Sequence, residues 1–124
     1  MFRGRPQQHT VAGLFSDNDT LANDLYAAGE KTGEHLWRMP LNESHIEAMK
    51  GDLGDLRNLS KLPRGHAGSI TGAAFIKAFV DGIPWAHLDI AGTAFNEREE
   101  RGETPKYATG YGVRLLLCYL MGKQ

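Results

Sequence analysis

At 124 residues and a formal net charge of −1, from fourteen Lys and Arg against fifteen Asp and Glu, the chain is long enough for one hydrophobic core. It lacks the basic excess that wrapping nucleic acid or lying on an anionic membrane needs. A lone cysteine, Cys118, excludes an intrachain disulfide, and no stretch approaches the roughly 18 apolar residues of a membrane span.

Residues 1 to 10 show neither helical nor strand periodicity and read as an irregular N-terminal arm, with residues 11 to 124 as the folded segment. Arg3 and Arg5 have no apolar run behind them, so no leader is expected and the setting is read as cytoplasmic. After the apolar run 11 to 15, Ser16, Asp17, Asn18 and Asp19 offer a helix N-cap. Leu21, Leu25 and Ala28 then fall on one helical face, and Gly29 or Gly33 can end the helix. Residues 35 to 41, punctuated by Pro40, read as extended. A helix over 43 to 50 follows, capped by Asn42, with Ile46 and Met49 inward and Gly51 as its stop.

Residues 60 to 68 form a loop by composition, and Ser69 is placed to cap a helix over 70 to 80. That helix is apolar on nearly every side apart from Thr71 and Lys77, which predicts burial between other elements. Residues 85 to 90 read as a strand, with Ala86, Leu88 and Ile90 on one face and Trp85, His87 and Asp89 on the other. A long connection, highly charged over 96 to 103, leads to a last helix from about Gly112, expected to turn Val113, Leu116, Leu117 and Leu120 inward and to hold Cys118 as a core thiol. The alternation predicts an α/β layer fold, and fifteen glycines predict many tight turns.

Few residue groups carry chemistry by spacing alone. His87 and Asp89 share a strand face, as two metal ligands or a base and its orienter could, yet no second pair supplies the third and fourth ligands. Asp52 and Asp55 beside Gly51 and Gly54 suit turn and capping duty as well as carboxylate chemistry. Ser69 near His66 lacks a nucleophile elbow, and Cys118 sits in an apolar run that offers no group to activate a thiol. Gly65, Gly68 and Gly72 fit no phosphate-cradling fingerprint.

Six blocks, however, occur in the order of a known family: AGLFSDND (12–19), WRMPL (37–41), DLRN (55–58), ITGAAF (70–75), WAHLDIAG (85–92) and ATGYGVR (108–114). Together they make the chain, from about residue 11 to residue 121, similar to the C-terminal part of the catalytic domain of leucyl (cytosol) aminopeptidases. The resemblance implies a partial three-layer α/β domain with helices packed on a short mixed sheet. It also implies removal of N-terminal residues from peptides by a site holding two divalent metal ions, manganese or zinc. In that family the metal ligands, with an arginine and bicarbonate that assist proton transfer, lie upstream around an N-T-D-A-E-G-R motif, and this chain has none.

What the resemblance carries over is a wall of the substrate pocket. Ala91 and Ala94 match residues that receive the substrate's N-terminal side chain, with Thr93 and Phe95 beside them. His87 and Asp89 are by implication structural, no catalytic or metal-ligating residue is assigned, no metal is expected on this chain alone, and WRMPL is architectural. Two departures from the family stand out. Residues 1 to 9 replace the strand and helix that follow the metal motif, and Tyr107 stands where glycine is usual, which is tolerable if its φ need not be positive. The expected partners are a peptide substrate in the complete enzyme and either further copies of the chain or a full-length aminopeptidase. The readings of different class are an aminopeptidase segment, a non-catalytic interaction module, and an independent enzyme built on His87, Asp89, Asp52 and Asp55.

Overall fold

The computed structural model describes residues 11–47, 68–96 and 105–123. The expected arm, Met49 and Gly51, the Asp52 and Asp55 pair, the DLRN block, the loop with Gly65 and His66, and most of the charged run lie outside the described residues.

Residues 11 to 15, unassigned by periodicity, form strand β1 (Val11–Phe15) at the centre of a three-stranded sheet. Helix α1 (Asp19–Thr32) follows. Asn18 caps it, its side-chain oxygen accepting from the Leu21 amide at 2.9 Å, and Gly33 closes it in the left-handed conformation at φ 76°. Gly29 therefore stays inside the helix rather than ending it. The helix presses so closely on the following segment that a Cβ at Gly29 would meet the Glu34 carbonyl oxygen at 2.7 Å. Strand β2 (His35–Arg38) then pairs parallel with β1, and strand β3 (His87–Asp89) pairs antiparallel on the other side with Gly13 opposite Asp89 and Phe15 opposite His87.

The mixed sheet, order β2-β1-β3, carries helices on both faces, as the layer expectation requires. On one face Ala12, Leu14 and Leu36 bury against Ala22, Leu25 and Ala28 of α1 and against Leu115 of the last helix, α4 (Val113–Met121), with Leu88 and Cys118 packed at its margin. The opposite face carries Phe15, fully buried, and is covered by helix α3 (Gly68–Lys77), whose Ala73 and Ala74 are wholly buried. Helix α2 (Glu43–Glu47) packs on α3. Lys77 pairs with Asp17 at 3.1 Å, tying α3 to the β1–α1 turn, and the Ser16 hydroxyl donates to the Trp85 carbonyl at 2.6 Å.

Four expectations are corrected. Helix α3 begins at Gly68, so Ser69 lies inside its first turn instead of capping it. Ile76 is 43% exposed, because among the described residues α3 has the sheet on one side only and α2 on part of the rest, and the helix stops at Lys77, so Phe79, 68% exposed, lies in the turn beyond it. In α4 the buried residue is Leu115, while Val113, Leu116, Leu117 and Leu120 are exposed; apart from Arg114 the run is apolar all round, so hydrophobicity alone could not set its rotation about the helix axis. The strand predicted over 85 to 90 is shorter, His87–Asp89, and Ile90 turns outward where the chain leaves the sheet.

Candidate functional site

Where β3 ends, the backbone enters a tightly bonded turn. An Asp89 carboxylate oxygen accepts from the Ala91 amide at 3.1 Å, an Asx turn that explains an aspartate at the end of this strand. The Ile90 carbonyl accepts from the Thr93 amide at 2.9 Å, the Ala94 amide at 2.8 Å and the Thr93 hydroxyl at 3.2 Å. Thr93 is buried, so its side chain closes the turn rather than lining a surface. Ala91 and Gly92 face solvent, and Ala94 is half-buried.

A second layer of bonds comes from the ATGYG segment. The Thr109 amide donates to the Ala94 carbonyl at 3.0 Å, and its hydroxyl donates to the Thr93 carbonyl at 2.6 Å while accepting from the Tyr111 amide at 3.2 Å. The long connection thus contains an antiparallel strand pair, β4 (Phe95–Asn96) with β5 (Tyr107–Ala108). The four residues 91, 93, 94 and 95 are brought together as one rigid corner, with Thr93 as its internal pin. Thr109 was not singled out by sequence reasoning; its signal is the threonine between Ala108 and Gly110 in the sixth block.

Tyr107 does not meet the condition that would make it an easy replacement for glycine: φ is 71°, in the region where glycine is at ease and a tyrosine is strained. Its ring lies 5.8 Å from that of Phe95, and the Lys106 ammonium stands 5.2 Å from the Tyr107 ring centre.

The start of α4 is anchored by a residue the sequence reading passed over. Glu34, 3% exposed, accepts from the Gly112 amide at 3.1 Å and the Leu115 amide at 2.8 Å with one oxygen, and from Arg114 Nε at 3.4 Å with the other. A carboxylate from the α1–β2 connection thus caps a helix whose own cap residue is Gly112, at φ 98°. Tyr111 donates its hydroxyl to the His35 carbonyl; burial, with the nearby Glu34 charge, pushes its pKa above the ordinary value and keeps it a donor.

His87 and Asp89 do share a face, and the His87 ring lies 5.9 Å from Phe15 against the α3 side of the sheet. Among the described residues no three of His, Cys, Asp and Glu converge to hold a metal ion. The residues described therefore do not fit a two-metal centre. Arg38 is architectural as expected, donating to the Ser16 carbonyl at 3.2 Å and pairing with Asp19, but Trp37 is 69% exposed. It borders an open groove of about 320 Å³ beside Tyr26, Glu30 and His35, apart from the corner at residues 91 to 95. No described helix is long and apolar enough to cross a membrane.

The cytosol aminopeptidase family, catalytic domain, matches residues 7–117. A probable cytosol aminopeptidase of Chlamydia trachomatis is 51% identical over 113 residues, covering 90% of this chain and 22% of the relative. That of Chlamydia muridarum is 52% identical over 112 residues, covering 89% and 22%. Among solved structures, the bottromycin maturation enzyme BotP in complex with Mn superposes with a TM-score of 0.84 at 35% identity, over 93% of this chain and 25% of that one. A tomato leucine aminopeptidase mutant superposes with a TM-score of 0.79 at 43% identity, over 92% and 21%. The chain therefore spans about a fifth of the length of the curated relatives it matches.

Proposed function

The chain belongs to the cytosol aminopeptidase family, and we propose that its part in peptide hydrolysis is to supply the wall that receives the substrate's N-terminal side chain. The observation that carries this reading is the corner after β3. Three donors on the Ile90 carbonyl and two bonds from Thr109 fix its backbone, leaving the small side chains of Ala91 and Ala94 to shape the surface, with Phe95 at its side. Methyl-sized side chains on an immobile backbone leave room for a leucine-sized group. Thr93 acts from inside the corner as a positioning residue. In this reading two divalent ions, manganese or zinc, are held by residues other than those described; the Mn complex of the similar bottromycin enzyme supports manganese. The half-buried, unpaired Cys118 supports a reducing, cytoplasmic setting.

A second reading, a non-catalytic module that associates with an intact aminopeptidase or with copies of itself, is supported by the apolar face of α4, where Val113, Leu117, Leu120 and Met121 are each more than half exposed. One assay separates the two. Hydrolysis of a chromogenic leucine amide is followed with the chain alone and with a separately expressed upstream part of a relative's catalytic domain, each with manganese or zinc and a chelated control. Metal-dependent turnover only in the mixture supports the wall reading. Turnover by the chain alone, persisting after removal of host aminopeptidases, overturns it, and association without turnover favours the module.

A further inference from the structure

The aromatic pair beside the corner is built in a way that hairpin geometry does not explain. In the β4–β5 ladder Asn96 stands opposite Tyr107 and Phe95 opposite Ala108. Directly opposed residues share a face and neighbours alternate, so a regular ladder puts Tyr107 with Asn96, away from Phe95. Instead the rings of Phe95 and Tyr107 approach to 5.8 Å, inclined at 42°. The left-handed backbone of Tyr107, φ 71°, accounts for the departure by turning its side chain across the strand. A glycine would take this conformation freely, whereas tyrosine is strained in it.

The pair is neither core nor solvated polar surface. Phe95 is 54% and Tyr107 56% exposed, so both rings face outward in large part although they lie against each other. Their attachment is continuous with the wall: Phe95 follows Ala94, whose carbonyl accepts from the Thr109 amide two residues beyond Tyr107. Two inclined rings on a fixed backbone present the apolar faces and edges that a third aromatic ring packs against, an arrangement a branched aliphatic group satisfies less well.

We propose that Phe95 and Tyr107 form a stacking platform that extends the pocket wall and favours peptides with an aromatic N-terminal side chain over branched aliphatic ones. The proposal rests on the reading that residues 91 to 95 receive that side chain, and its test is chosen to separate the two. The full chain, labelled at alanine methyls and at phenylalanine and tyrosine rings, is titrated by NMR with L-phenylalaninamide and with L-leucinamide. The Phe95 and Tyr107 ring signals and the Ala91 and Ala94 methyls should all shift, with half-saturation by phenylalaninamide about threefold to tenfold lower than by leucinamide, the factor an aromatic pair supplies. Tyr107→Gly, which suits the backbone at that position, and Phe95→Leu, which keeps bulk without a ring, should each bring the two amides to within about twofold. If the alanine methyls respond equally to both amides while the rings stay unmoved, the platform is refuted and the wall stands. If neither set responds, the wall fails and the platform with it.

Discussion

Removing the Glu34 carboxylate should uncouple α4 from the sheet. Glu34 is 3% exposed, and a single one of its oxygens accepts both the Gly112 and the Leu115 amides, at 3.1 and 2.8 Å. Glu34→Ala leaves two amides at a helix start without their acceptor, each costing about 1 to 3 kcal/mol where water cannot replace it. Arg114 beside them is half exposed, so water relieves part of the loss, and a total of about 3 kcal/mol is expected. Glu34→Gln is a sharper probe, because its one carbonyl oxygen can occupy the same place and keep both amide bonds. It loses the negative charge and turns an NH2 toward Arg114 Nε, for a cost of about 1 kcal/mol. In urea denaturation with a slope of about 1.5 kcal/mol/M, these become midpoint shifts of about 2 M and 0.7 M at unchanged slope. Equal shifts for the two variants would refute the argument, since they would make charge, not the amides, the object of the carboxylate. An alanine shift below about 0.5 M would show that water satisfies the helix start unaided.

Gly29→Ala places a Cβ 2.7 Å from the Glu34 carbonyl oxygen and should lower thermal or urea stability by about 2 kcal/mol, against the small gain alanine gives in an open helix. Asn18→Ala removes the cap on Leu21 and should cost about 1 kcal/mol in the same assay, with Asn18→Asp restoring most of it. For Asp17, burial acts to raise the carboxyl pKa, but the hydrogen bonds from Lys77 and Trp85 and the Lys77 charge outweigh it and leave the pKa below its ordinary 3.8. A folded-state pKa below the unfolded one gives stability that is present above about pH 4 and lost as pH falls through the folded value, so Asp17→Asn should lower stability at pH 7 and converge with the parent in acid, flattening the acid limb of a stability-against-pH curve. The pair is half exposed, so the change should be small.

Local features of the sequence were legible. The Asn18 cap, the Leu25 and Ala28 stripe and the Gly33 stop follow from short-range bonding and helical spacing, and the alternation about Leu88 follows from the pleat. The strand at residues 11 to 15 was not, because five residues in which a glycine interrupts the apolar run satisfy several patterns at once. The rotation of α4 was set by Glu34, 81 residues from Leu115, a contact that no window on the sequence contains. At the candidate site the small residues were placed through a resemblance, but the bonds that fix them were not foreseen. Those bonds reach across to Thr109, and the left-handed Tyr107 follows from backbone closure rather than from its side chain.

The antiparallel course of β3 bears on how the molecule can be handled. β1 and β2 begin at the end of the sheet where β3 finishes, since Val11 pairs with His35 and Gly13 with Asp89. A reporter or tether attached just before residue 11 therefore enters on the side of the corner and competes for its space. One attached after α4, whose nine residues carry the chain about 13 Å along the helix axis from Gly112, leaves that side clear. Immobilisation through the C-terminal side is thus the geometry in which ligand binding at residues 91 to 95 can be read without obstruction.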